Sequence, residues 1–127
     1  PRLPQHGIGR SCKTGKEEIV GLIVALRRFV AEGDAPRQAR LRARLDAVRE
    51  AMGDTPAEIT DGAVPLLLLR LADAGAARAA EARLRAHRPA IHVNQGRLRE
   101  GMLVVNPLAL ADRDTATLGA ALRAVIA

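Results

Sequence analysis

The chain predicts an α+β fold, a small and mostly antiparallel sheet of about four strands with helices packed on one side. Stretches of helical periodicity alternate with short β-compatible runs, in the order two helices, two strands, a helix, two strands and a closing helix. Turn chemistry falls inside each strand pair, at Asp61-Gly62 in the first and from Asn94 to Gly101 in the second, so each pair should close as a hairpin. The 127 residues, 48% of them hydrophobic, provide for one modest core, with no repeat and no low-complexity tail.

Each element has a local cause. Thr14-Gly15-Lys16-Glu17 fits the S/T-x-x-E capping box and places a helix start at Thr14. Ile19, Leu22, Ile23, Leu26 and Val30 recur at helical spacing, Val20 and Val24 widen that face toward full burial inside an assembly, and Gly33 ends the segment. Asp34 should cap a second helix with Pro36 in its first turn. There Leu41, Leu45, Val48 and Met52 form one stripe opposite a row of arginines; Arg42 has Asp46 one turn on, and Asp46 has Glu50, so the exposed face carries mixed charge.

After Gly53 the period changes. "AEIT" and "VPLLLLRL" read as strands, and the unbroken leucines Leu66 to Leu69 predict a strand covered on both faces. Ala76 to His87 reads as an alanine-rich helix stopped by Pro89, followed by "AIHV" and "MLVV" as two more strands. Asp112 should cap the last helix, which buries Leu118, Ala121, Leu122 and Val125.

Composition narrows the function classes. A single cysteine, Cys12, excludes an internal disulfide and, with no nearby histidine pair, offers no metal-ligand spacing, which fits a reducing, cytoplasmic setting. No apolar stretch is long enough to span a bilayer and no signal peptide is visible. The opening "PRLPQ" lacks an initiator methionine and reads as a longer sequence cut in a loop, so a fragment is expected. The formal net charge of +6 admits a nucleic-acid partner, with Arg37, Arg40 and Arg44 aligned on the second helix. One aromatic residue, Phe29, gives no stacking platform, so a solvated arginine surface is the preferred reading and nucleic acid is not the expected partner.

The richest stretch is "GIGRSCKTGKEE", Gly7 to Glu18. It is not a Walker loop: that motif has four residues between its first glycine and Gly-Lys, then Ser or Thr, whereas five separate Gly9 from Gly15 and Glu17 follows Lys16. A helix start nonetheless presents unpaired amides at the positive end of its dipole. Arg10, Lys13 and Lys16 recur every third residue across it, so an anion there would meet cations and backbone amides together.

The segment "IGRSCKTGKEEIVGLIVAL" resembles the GR-x-x-K-V-G-K-E-E-I-x-G-L stretch of the pyridoxal-phosphate enzymes related to bacterial selenocysteine synthase. Pro65 with the apolar run after it, "RPAIHVN" and "GMLVVNPLAL" resemble the later strands of that family in the same order. The resemblance runs from about Gly7 to the end. It implies the C-terminal domain of a fold type I enzyme, with a segment 1–15 carrying the basic loop and one small domain over 16–127. It further implies pyridoxal 5'-phosphate as cofactor of the complete enzyme, held by a lysine outside this chain, so the chain alone should lack catalysis. The partners it implies are the large cofactor domain and further copies in a homo-oligomer.

By the same resemblance Arg10 and Lys13, with Lys16 beside them, would hold the anionic group of an amino-acid-like substrate while its Cα and Cβ react. Lysine at position 13 replaces an arginine of selenocysteine synthase and gives up two-pronged geometry, which points to a different anion. Thr14 and Leu108 depart from the usual valine and arginine. His6, His87 and His92 have no partner spacing, Cys12 sits between Arg10 and Lys13 as a passive side chain, and Asp73, Asp112 and Asp114 fall at turns and caps. The alternative without catalysis is an arginine-rich RNA-binding or assembly module.

Overall fold

The structure, a computed structural model, describes residues 14–126. It divides into two compact units, one ending at Gly33 and the other beginning at Asp34.

The first unit holds helix α1 (Lys16–Glu32). Its cap differs from the expected one. The N-cap is Gly15, extended at φ −69° and ψ 160°, and its N–H donates to the Glu18 carboxylate at 2.7 Å, while the Ile19 N–H donates to the Gly15 carbonyl at 3.1 Å. Glu18 stands three residues after Gly15, so the box closes one residue later than the Thr14–Glu17 spacing predicts. The wide apolar face is there as expected, but no side chain of α1 is buried, with exposures from 42% at Val24 to 70% at Val30.

The second unit is an α+β layer. Helix α2 (Asp34–Met52) buries the predicted stripe, Leu41, Leu45, Val48 and Met52. Asp34 is its first residue, and its carboxylate accepts from Arg37 Nη1 at 2.8 Å. The Arg42 pairing also differs: Arg42 reaches Asp61 of the following turn at 3.0 Å, and Asp46 takes Arg49 at 3.0 Å. Strands β1 (Glu58–Ile59) and β2 (Leu67–Arg70) form the predicted hairpin around Asp61-Gly62, closed by the Thr60 N–H to the Leu66 carbonyl at 2.9 Å. Gly62 takes φ +147°, a value side-chain-bearing residues rarely adopt.

Strand β3 (Met102–Val105) pairs antiparallel with β2, giving the order β1-β2-β3. Leu67 lies opposite Val105 and Leu69 opposite Leu103, so these four share one face. They join Leu45, Val48 and Met52 of α2, Ala80 and Leu84 of α3 (Ala74–Ala86), and Leu118, Ala121 and Leu122 of α4 (Thr115–Ile126) in one core cluster. The helices therefore pack on one side of the sheet, as the periodicity predicts. On the opposite face Met102 and Val104 are buried and Leu68 is half-buried.

The described sheet has three strands, where the sequence predicts about four. "AIHV" is extended chain that meets β3 through one isolated bridge, Asn94 to Val104. Its start is held elsewhere: the Ile91 N–H donates to the Leu84 carbonyl at the end of α3 at 3.0 Å. At the other end β3 stops at Val105, and Asn106 caps the 3-10 turn that follows.

Both later helices carry local signals. The Asp73 carboxylate caps α3 by accepting from the Ala76 N–H at 2.8 Å. Asp73→Ala should cost about 1 kcal/mol, the usual worth of such a cap. Urea denaturation followed by circular dichroism measures it, and an unchanged midpoint would show the cap to be idle. Asp112, expected to cap α4, instead opens a 3-10 turn that runs into the helix, and its backbone carbonyl accepts from the Thr115 hydroxyl at 2.9 Å. Leu118, Ala121 and Leu122 are buried as predicted, while Val125 is half-buried.

Candidate functional site

Of the predicted anion-binding residues, Arg10 and Lys13 lie outside the described residues, as do Cys12 and His6. Lys16 is the first residue of α1 and is exposed. The helix start around it is already rich in negative charge, because Glu17 and Glu18 occupy the first turn and Glu18 holds the Gly15 amide. An anion arriving here meets the positive end of a helix dipole and Lys16, and must displace a carboxylate to reach the Gly15 N–H.

Two of the arginines proposed as an RNA face on α2, Arg37 and Arg44, are put to structural use. Arg37, with a side chain 13% exposed, pairs with Asp34. Arg44 Nε donates to Asp112 at 2.5 Å and its Nη1 to the Pro107 carbonyl at 3.4 Å, tying α2 to the turns that precede α4. Arg44→Ala should cost about 1 to 2 kcal/mol through the loss of a charge-assisted bond and of the packed stem. Chemical denaturation of the purified chain reads this directly, and a cost near zero would show that the turns hold themselves.

Two features escaped the sequence reading. Glu81 of α3 is buried, 6% exposed, and accepts from Gln95 Nε2 at 2.8 Å, with Arg85 at 3.9 Å. The signal was present, since Ala77, Ala80, Glu81 and Leu84 occupy one helical face and put a carboxylate at a core position. The other feature is a groove of about 560 Å³ between residues 89–94 and the chain from Val105 into α4. Ile91, Val93 and Leu118 contribute apolar walls, and His92, Asn94, Asn106 and Asp114 contribute polar groups. His92 is exposed, and His87 Nδ1 lies 3.0 Å from the Pro89 carbonyl at the end of α3. Among the described residues, no three His, Cys, Asp or Glu side chains are grouped to hold a metal, and no helix is long and apolar enough to cross a membrane.

The fold matches a solved structure of D-glucosaminate-6-phosphate ammonia-lyase with a TM-score of 0.66 and 26% sequence identity, over 96% of this chain and 35% of that one. A 5'-C-glycyluridine monooxygenase-decarboxylase from Streptomyces sp is 32% identical over 120 residues, covering 87% of this chain and 30% of the relative. The chain thus spans about a third of each protein it matches. No protein-family model matches it.

Proposed function

We propose that this chain is the C-terminal portion of a pyridoxal-phosphate-dependent lyase or transferase related to the selenocysteine synthase group, acting at Cα or Cβ of an amino-acid-like anionic substrate. In that reading a basic segment, 1–15, leads into one small domain, 16–127, of a cytoplasmic homo-oligomer whose cofactor domain lies in the rest of the protein. The observation that carries it is the similarity over 96% of the chain to a solved ammonia-lyase. The names of the two relatives agree chemically, since glucosaminate 6-phosphate and glycyluridine are both amino acids bearing a second polar group, phosphate in one and uridine in the other.

The described residues do not fit covalent attachment of the cofactor. Residues 34–126 contain no lysine, and Lys16 stands exposed beside two glutamates. When bound in the complete protein, the cofactor would supply electron withdrawal at the substrate Cα. This chain's share is positioning: Arg10 and Lys13, with Lys16 beside them, fix the substrate anion by charge and leave proton transfer to other groups.

The test is kinetic. In the complete enzyme, assayed with glycyluridine and with glucosaminate 6-phosphate, Arg10→Ala should raise KM or lower kcat by about tenfold to a hundredfold, the worth of one or two charge-assisted contacts. Unchanged constants would remove Arg10 from the site. A complete protein lacking a visible absorbance band that borohydride abolishes would overturn the cofactor assignment itself.

A further inference from the structure

We infer that Asp61-Gly62, in the turn between β1 and β2, is a site of spontaneous backbone modification, where aspartate rearranges to isoaspartate through a cyclic imide. Ring closure has two requirements. The backbone nitrogen of the following residue must be free to approach the aspartate Cγ, and no side chain must crowd that approach. Among the aspartates of the chain, Asp61 alone is followed by glycine.

The turn leaves both groups unrestrained. The Asp61 side chain is 98% exposed, and its ion pair with Arg42 Nη1 at 3.0 Å joins it to a guanidinium that is itself 47% exposed, so the pair opens at little cost. Among the described residues the Gly62 N–H donates no hydrogen bond. A Cβ built on Gly62 would meet only the Val64 carbonyl oxygen, 3.9 Å away, so the nitrogen is uncrowded from that side too. The base of the loop is clamped: the Thr60 N–H donates to the Leu66 carbonyl at 2.9 Å, and the Leu66 N–H donates to the Thr60 hydroxyl at 3.1 Å. Asp61, Gly62 and Ala63 stand beyond that clamp and are exposed. Asp73 is the contrast within the same chain, because its carboxylate is committed to the cap of α3 and alanine follows it.

The Gly62 nitrogen attacks Cγ of the protonated Asp61 carboxyl group. The N–Cγ bond forms, the Cγ–OH bond breaks, and the hydroxyl leaves with the amide proton as water. Water then opens the imide at either carbonyl. Opening at Cγ returns aspartate, whereas opening at the former backbone carbonyl gives isoaspartate, in which the main chain runs through Cγ and the carboxylate sits on Cα. No reagent other than water enters. The rearranged turn is one main-chain atom longer, and its carboxylate stands on a different carbon from the one that Arg42 pairs with.

The test is peptide mapping of the aged protein. The 127-residue chain is held folded in neutral buffer until the same chain held unfolded in urea shows isoaspartate, and both are digested and separated by liquid chromatography with fragmentation mass spectrometry. In the folded sample the peptide carrying Asp61 should split into aspartyl and isoaspartyl forms of equal mass, with a minor form lighter by one water. The isoaspartyl form should accept a methyl group from S-adenosylmethionine in the presence of a protein isoaspartyl methyltransferase, and the peptide carrying Asp73 should stay aspartyl. Asp61→Glu keeps the charge and should abolish the signal, because its wider ring closes far more slowly. A folded chain whose Asp61 peptide stays aspartyl would overturn the inference, as would equal conversion at Asp73 or a methyl-accepting signal that survives in Asp61→Glu.

Discussion

Gly119→Ala should lower the melting temperature of the second unit by roughly 8–16 °C. A Cβ built on Gly119 would lie 2.5 Å from the Ala51 Cβ and 2.6 Å from the Val48 carbonyl oxygen, both fixed by the backbone of α2. Two effects oppose each other. Alanine in a helix interior normally gains about 1 kcal/mol over glycine. Overpacking of a rigid contact costs about 1 to 3 kcal/mol and sometimes more, and atoms this close leave no rotamer through which to escape. At the upper end of that cost the clash wins by about 2 kcal/mol, which for a unit of this size lowers Tm by roughly 8–16 °C. Thermal denaturation followed by circular dichroism measures it. Ala51→Gly in the same chain should restore only part of the loss, because the Val48 oxygen remains in the way. An unchanged Tm would mean that α2 and α4 stand farther apart than the structure has them.

Gly119 also shows where sequence reading stops. In one dimension it is a residue that weakens a helix; only the crossing of α2 over α4 turns it into a requirement. The helices themselves were legible because their evidence is local. Leu41, Leu45, Val48 and Met52 repeat at the helical period, Leu118, Ala121 and Leu122 do the same, and Asp73 announces a cap. The Asp61-Gly62 hairpin was legible for the same reason.

What failed depended on choosing among partners. Arg42 had Asp46 one turn away and took Asp61 instead, and Asp112 had a helix to cap and took Arg44. Ala90 to Val93 has strand composition, but pairing needs two free edges in register, and its Ile91 N–H is committed to the Leu84 carbonyl. Of the candidate site only Lys16 falls among the described residues, and there the spacing misjudged the cap by one residue, which is Gly15 closed by Glu18 and not Thr14 closed by Glu17.

The sheet core supplies the second large effect. Leu103 is fully buried, lies opposite Leu69 on the face that meets the helices, and belongs to the same cluster as Leu84 and Leu122. Leu103→Ala removes three methyl-sized groups from a site enclosed by two strands and the helix layer, where collapse is restricted, so the cost should be about 3 to 4 kcal/mol. Leu108→Ala makes the same chemical change at a turn residue that is 59% exposed and should cost less than about 0.5 kcal/mol. The comparison holds side-chain chemistry constant and varies only enclosure, so the difference between the two urea midpoints reports how tightly the helices cover the sheet. Comparable losses at both positions would show that Leu108 is itself covered in the folded protein, and a small loss at Leu103 would show that the core beneath the helices is free to close around a void.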